Sequence, residues 1–167
     1  MRLVMRLIIF PLMLTAPGPA MAQTTPIPQA TEHGGTADDR EVLAAIDAFF
    51  VAVHDKDRAK MLETVLPEGL ATAIRVGEGS QPVMRSWHWA TYIENQIANP
   101  PKFTERLMAP RVLVERDIAM VWAGYELLVD GAFDHCGVDH FDMVRRNGKW
   151  LIYNLTWTNQ KAGCPGR

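Results

Sequence analysis

The dipeptide Asn147-Gly148 constrains the fold more than any other feature of the sequence. It lies between two runs of β-strand character, and a type I′ turn needs positive φ at both central residues, which Asn and Gly tolerate best. The dipeptide therefore predicts a tight hairpin in which Arg146 faces Lys149. Counting residues outward from the turn gives the other cross-strand pairs. This register is strongly specified, because a slip of one residue would move every side chain to the opposite face of the sheet.

The predicted register divides the hairpin into two faces. One face carries the cross-strand pairs Arg145/Trp150, Met143/Ile152, Phe141/Asn154 and Asp139/Thr156. The other face carries Val144/Leu151, Asp142/Tyr153, His140/Leu155 and Val138/Trp157. Neither face is polar throughout, whereas a half-exposed sheet alternates between apolar and polar residues. We therefore expect both faces to be partly covered.

Helices are predicted before the long strands begin. A first helix over 38–55 is indicated by apolar residues at helical spacing, Val42, Ile46, Phe49 and Val53. A shorter helix is predicted over 59–66, stopped by Pro67 and Gly69. Ser86 is predicted to cap a third helix that runs to about Ala98 and buries Trp89, Ile93 and Ile97.

Strands account for the rest of the ordered chain. Residues 70–86 predict two short strands around a Gly-rich turn, and the chain from Phe103 onward predicts four longer ones. Helices first and a meander afterwards indicate an α+β domain with its helices on one face of the sheet.

The first 22 residues have the pattern of a secretory signal peptide: two Arg, an apolar run from Leu7 to Leu14, and then Ala20-Met21-Ala22. A membrane anchor is the alternative, but it needs about 20 apolar residues and Pro11 interrupts this run. Cleavage after Ala22 predicts a periplasmic or secreted protein with no membrane segment. We expect a flexible arm over 23–37 and one domain over 38–164. A net charge of −2 without a Lys/Arg block argues against a nucleic-acid partner.

The two cysteines, Cys136 and Cys164, are predicted to form a disulfide, because an exported protein meets an oxidising compartment. Two unpaired thiols are the alternative. Cys136, His140 and Asp142 share one predicted face, but Cys136 and His140 would lie about 13 Å apart along the strand, so one metal ion cannot bind all three. We therefore predict no metal, although a site with His140, Asp142 and a third ligand from elsewhere stays open.

Three N-terminal helices, a curved sheet and the final pattern "CGVDHFDMVRRNGKWLI…WT…C" resemble the nuclear-transport-factor-2-like superfamily. The resemblance extends from Asp38 to Cys164 and is strongest to small exported proteins grouped as SnoaL-like or lumazine-binding-like. It implies a cone-shaped, curved mixed sheet with three helices on its concave side. In such folds the concave side encloses a pocket, and the convex side often forms a dimer.

Comparison with the hairpin of the ketosteroid isomerases implies which side chains line that pocket. It places Leu151, Tyr153, Leu155 and Trp157 there, together with their partners Val138, His140 and Asp142. His140 falls near the position where those isomerases hold a protonated Asp. On the third helix, Tyr92 and His88 lie where they would reach the same pocket, or else point to solvent.

Two classes of function follow from these residues. The first, which we favour, is a non-catalytic binder of a small aromatic or apolar molecule without a cofactor, or a subunit that uses the scaffold to associate. The second is a cofactor-free lyase or isomerase in which Asp142 or His140 is the base, because burial raises the pKa of a carboxyl group and favours it as a base. A homodimer is predicted through the convex face, with Phe141, Met143, Trp150 and Ile152 near the contact.

Overall fold

The computed structural model describes residues 35–75, 81–98 and 101–165. The predicted signal peptide, and the predicted arm up to residue 34, lie outside the described residues. Within the described part of the chain, no helix is long and apolar enough to cross a membrane.

In the described part of the chain, three helices precede the long strands, as predicted. Helix α1 spans Ala37–Asp55, α2 spans Arg58–Glu63 and α3 spans Trp89–Ala98. The first begins with a capping box: the Thr36 side chain accepts from the Asp39 amide, and the Asp39 side chain accepts from the Thr36 amide. It ends where Lys56 adopts a left-handed conformation with φ of 57°.

Among the described residues, six strands form one mixed sheet in the order β2-β1-β6-β5-β4-β3. Strands β1 and β2 span Leu70–Arg75 and Val83–His88, followed by β3 (Phe103–Glu115), β4 (Ile118–Val129), β5 (Ala132–Arg146) and β6 (Lys149–Asn159). The pairing of β1 with β6 is parallel and the other pairings are antiparallel. Ser86 lies inside β2, so its predicted role as the cap of α3 is wrong; the chain passes directly from β2 into α3.

The core lies between the helices and the concave face of the sheet. Phe49 of α1 meets Trp89 of α3 edge to face, with ring centroids 5.6 Å apart. The sheet contributes the buried side chains of Val121, Phe141, Met143 and Ile152. The fold is therefore the predicted α+β cone, with the helices on the concave side of an open, curved sheet.

The hairpin turn is confirmed, because Asn147 and Gly148 have φ values of 54° and 76°. The pairs nearest the turn are also as predicted, from Arg146/Lys149 to Met143/Ile152. A β-bulge at Tyr153 then shifts the register by one residue. Beyond it the pairs are Asp142/Asn154, Phe141/Leu155, His140/Thr156 and Asp139/Trp157.

Relative to the predicted register, the side chains of β6 beyond the bulge point to the opposite face of the sheet. The concave side carries Phe141, Asp139, Leu155 and Trp157, and the convex side carries Val138, His140, Asp142 and Tyr153. The predicted convex contact surface is wrong independently of the bulge, because the two faces of the hairpin are the reverse of those expected: Phe141, Met143, Trp150 and Ile152 are core residues with little or no exposed surface.

Candidate functional site

The concave side of the sheet holds a cavity of about 260 Å³ that is closed on one side by α3. The sheet lines most of it, through residues from β1, β3, β4, β5 and β6. The cavity opens toward a larger cleft of about 840 Å³, here named the vestibule. Residues that line both spaces are Arg75, Phe103, Leu127, His135 and Asn159.

Two carboxyl groups meet in this cavity, Glu105 from β3 and Asp139 from β5. They lie within hydrogen-bond reach of each other, and Asp139 is only 1% exposed. Burial raises the pKa of Glu105 to about 7. Burial, together with the nearby charge of Glu105, raises the pKa of Asp139 well above its usual value. At neutral pH we therefore assign a proton to Asp139, and the pair carries no more than one negative charge.

The oxygen Oδ2 of Asp139 is buried and meets no hydrogen-bond donor among the described residues. A buried carboxylate without a donor is costly, whereas a protonated carboxylic acid is much less so. This geometry agrees with the raised pKa of Asp139.

Two tyrosines border the carboxyl pair, Tyr92 from α3 and Tyr125 from β4. Burial and the charges of Glu105 and Asp139 raise the pKa of both phenols, so both remain protonated donors. The Tyr125 hydroxyl donates to the carbonyl oxygen of Thr158 at 2.8 Å. Gly137 makes this approach possible, because a Cβ there would lie 2.7 Å from the Tyr125 ring and 1.9 Å from the Thr158 oxygen.

Three aromatic rings form one wall of the cavity. Trp87 and Trp157 lie nearly parallel, with centroids 6.3 Å apart and an interplanar angle of 20°. The edge of Tyr92 meets Trp157 at 5.9 Å. We name Trp87, Tyr92 and Trp157 the aromatic wall.

Polar side chains, among them Asp134, His135 and Lys161, form the rim of the cavity that faces the vestibule. His135 Nδ1 lies 2.6 Å from Asp134 Oδ2, and Lys161 Nζ lies 3.4 Å from the other oxygen of Asp134. The hydrogen bond with His135 is the largest cause that lowers the pKa of Asp134. The predicted disulfide is confirmed: Cys136 and Cys164 are bonded, which ties the C-terminal segment to β5 beside His135.

The structure brings three of the predicted pocket residues into the cavity wall, Tyr92, Leu155 and Trp157. The others lie elsewhere. His88 is exposed on the edge strand β2, Tyr153 is exposed at the bulge, and Val138 lies on the convex face. The predicted base residues His140 and Asp142 also lie on the convex face of the sheet. There His140 Nε2 and Asp142 Oδ1 are 3.5 Å apart. Both carboxyl oxygens of Asp142 have polar neighbours there, since Asn154 Nδ2 donates to Oδ2 at 3.1 Å.

Residues that the sequence analysis missed include both carboxyl groups of the cavity. A signal for Glu105 exists, because Phe103, Glu105 and Leu107 alternate on one face of a strand, which places a charged residue between two inward apolar ones. The predicted register has Asp139 on the correct strand but opposite Thr156, whereas in the structure it faces Trp157. Within the described ranges, no group of three or more His, Cys, Asp or Glu residues is placed to hold a metal ion.

No protein-family model matches the sequence, and no curated protein matches it. Solved structures are nevertheless similar in fold. A nuclear-transport-factor-2-like protein from Cytophaga hutchinsonii superposes with a TM-score of 0.61 at 12% identity, covering 75% of this chain and 99% of that chain. A candidate dehydratase of the same family from Streptomyces avermitilis gives a TM-score of 0.55 at 17% identity, covering 75% and 97%.

A third similar structure is the β subunit of a candidate aromatic-ring-hydroxylating dioxygenase from Novosphingobium aromaticivorans. Its TM-score is 0.61 at 12% identity, and the match covers 74% of this chain and 90% of that chain. Identities this low identify the shared fold and not the activity. The chain therefore has the fold of the nuclear-transport-factor-2-like superfamily.

Proposed function

We propose that the protein binds a small aromatic or apolar molecule in the cavity between α3 and the concave face of the sheet. The observation that carries this proposal is the aromatic wall, in which Trp87, Tyr92 and Trp157 border an open space of about 260 Å³. A concave apolar site with a few convergent polar groups is the usual form of a small-molecule pocket.

The aromatic wall supports a planar ligand in particular. Offset or edge-to-face contacts between aromatic rings contribute about 0.5–1.5 kcal/mol each beyond the burial of their area. A ligand ring that contacts two of the three side chains would therefore gain affinity that a saturated ring of equal size lacks. Matched aromatic and saturated compounds separate these two contributions.

Tryptophan fluorescence tests the proposal. Binding of a non-fluorescent aromatic compound is expected to change the emission of the wild type, and Trp157→Phe is expected to lose most of that change. Trp122→Phe is the matched control, because Trp122 is 52% exposed on the convex face. Equal loss of signal in both variants would contradict the proposed site.

A second candidate function is proton transfer at carbon, as in a cofactor-free lyase or isomerase. The observation that favours it is the Glu105–Asp139 pair: a carboxylate whose pKa is raised to about 7 is a competent general base near neutral pH. Glu105 takes the role of base that the sequence analysis assigned to Asp142 or His140, and protonated Asp139 is placed to donate to a developing oxyanion.

Exchange of α-protons in heavy water tests this second function. If Glu105 abstracts a proton from a ketone and returns a deuteron, proton NMR will show catalysed loss of the α-proton signal, and Glu105→Gln will abolish it. Asp142→Asn is the control, because its carboxyl group lies on the convex face and should leave the exchange rate unchanged. Exchange that survives Glu105→Gln would exclude Glu105 as the base.

We also propose that the protein is exported and that the mature chain begins near Gln23. The disulfide supports this, because such bonds persist in oxidising compartments. Intact-mass measurement of exported protein gives the start of the chain. Alkylation without reductant should add no mass, since both cysteines are bonded.

A further inference from the structure

The two cavity carboxyl groups have no cationic partner among the residues that the structure describes. Among residues 35–75, 81–98 and 101–165, no Lys, Arg or His forms an ion pair with Glu105 or Asp139. Buried charges in proteins are normally paired, because an isolated one loses its hydration without compensation. The charge that this pair carries is thus left for a ligand to neutralise.

The other charged and titratable groups near the pair do not replace such a partner. Tyr92 and Tyr125 are neutral phenols, and His135 and Lys161 are both engaged by Asp134. Arg75 lines the cavity but is itself exposed at the rim. His54 of α1 is not paired with the carboxyl groups either, because its Nδ1 makes hydrogen bonds with the Phe103 carbonyl and the Thr104 hydroxyl.

The aromatic wall supplies a second feature that cations favour. A cation over an aromatic face gains about 0.5–2 kcal/mol, most on tryptophan. The described chain uses this contact twice outside the aromatic wall. Lys56 lies 4.5 Å from the ring centre of Phe103, which also lines the cavity, and Arg145 lies 4.5 Å from that of Trp150. No such contact with a Lys or Arg of the described segments occupies the rings of Trp87 or Trp157.

From these contacts we infer that the cavity selects an aromatic compound with a protonated amine on a short chain. The ligand ring lies against Trp87 and Trp157, and the ammonium group donates to the carboxyl pair of Glu105 and Asp139. Asp139 and Trp157 are direct cross-strand neighbours, so the acidic and aromatic parts of the site adjoin. The inference rests on the proposed binding function and adds the chemical class of the ligand.

Three phenyl compounds of similar size test it: 2-phenylethylamine, 2-phenylethanol and phenylacetate. Isothermal titration of the whole folded protein at pH 8 should give the amine about tenfold tighter binding than the neutral alcohol, with phenylacetate the weakest. Equal affinities for amine and alcohol would overturn the inference and leave the proposed function standing. Tightest binding of phenylacetate would also overturn it, and binding of none of the three would contradict both.

Variants test the role of the carboxyl pair. Glu105→Gln should reduce the affinity for the amine to that for the alcohol and leave the affinity for the alcohol unchanged. Glu115→Gln is the matched control, because Glu115 is exposed on the same strand and pairs with Arg116. An unchanged amine preference in Glu105→Gln would overturn the inference.

The pH dependence gives an independent test on the wild type. The amine stays protonated from pH 6 to 8, whereas Glu105 loses its proton near pH 7. Affinity for the amine should therefore rise severalfold over this range, and affinity for the alcohol should not. Amine affinity that is flat or falling with pH would overturn the inference without a mutation.

Discussion

The indole nitrogen of Trp89 donates a hydrogen bond to the main-chain carbonyl of Tyr153 at 2.9 Å. This contact joins the start of α3 to the β-bulge of β6. Gly69 lies against the same carbonyl, where a Cβ would come within 1.6 Å of the oxygen, and the Leu70 amide donates to the Asn154 side chain at 3.0 Å. The bulge is thus held from three directions, and it turns Leu155 and Trp157 toward the cavity.

We expect Trp89→Phe to destabilise the protein by about 2 kcal/mol, because it removes the donor to the partly buried Tyr153 carbonyl and leaves unfilled volume in the core. Urea denaturation measures the change. Trp122→Phe, on the exposed face, should change stability by no more than about 0.5 kcal/mol. Equal effects of the two substitutions would show that the Trp89 contact contributes little.

Gly137 is expected to tolerate no side chain. An added Cβ would overlap the Thr158 carbonyl and press on the Tyr125 ring, so Gly137→Ala should cost about 2 kcal/mol or more and weaken ligand binding. Gly124→Ala on the neighbouring strand is the control. The nearest atom to its added Cβ would belong to the flexible Met108 side chain, at 3.6 Å. Thermal melts of both variants decide this; similar melting temperatures would contradict the close approach at Gly137.

The pKa of Glu105 also predicts how stability depends on pH. Its pKa rises from an ordinary 4.5 to about 7 on folding, so the folded protein binds more protons than the unfolded chain between these values. Stability from this group is full below about pH 4.5 and is lost as the pH rises through about 7. Asp139, whose pKa is also raised, acts in the same sense as Glu105. Asp57 and Asp134, whose pKa values are lowered, act in the opposite sense only at more acidic pH.

Melting temperatures of the ligand-free protein should therefore fall from pH 5 to pH 8. Glu105→Gln should weaken this dependence and melt higher than the wild type at pH 8, whereas Glu115→Gln should follow the wild type. A Glu105→Gln protein that keeps the full dependence would show that another group causes it.

We propose a homodimer through the convex face, with a contact surface different from the one first predicted. Ile118 and Trp122 are 60% and 52% exposed there, beside an apolar groove of about 570 Å³. Contiguous exposed apolar surface often marks an interaction site. Light scattering should give a dimer mass that Trp122→Asp halves, while Met84→Asp, at an exposed apolar residue of β2, should leave it unchanged. A monomeric wild type at tens of micromolar would contradict the proposal.

The sequence predicts the helices, the strands and the hairpin turn well, because each depends on residues close together in the chain. Val42, Ile46 and Phe49 indicate a buried helical stripe, and Asn147-Gly148 indicates the turn. The bulge at Tyr153 is not predicted, because it depends on Trp89 and Gly69, which lie far away in sequence. The bulge brings Leu155 and Trp157 to the concave face. Asp142 and His140 lie on the convex face for another reason: they alternate along β5 with the buried Phe141 and Met143, so the predicted choice of the pocket face of β5 is wrong.

The carboxyl pair is missed for a related reason. Glu105 and Asp139 come from β3 and β5, which are separated by β4 in the sheet, and only the curvature of the sheet brings their side chains together. Cross-strand counting within one hairpin cannot reveal a contact of this kind. Tyr92 lines the cavity, which is one of the two alternatives that its position on α3 left open.

The most direct test of the binding site is an NMR titration of the tryptophan indole N–H signals with 2-phenylethylamine. The chain has five tryptophans, which sample the cavity, the core and the convex face. We predict that the signals of Trp87 and Trp157 shift in a saturable manner and that the Trp122 signal stays in place. A shift of Trp122 with Trp87 and Trp157 unmoved, or no shift of any of the three, would contradict the assignment of the cavity as the ligand site.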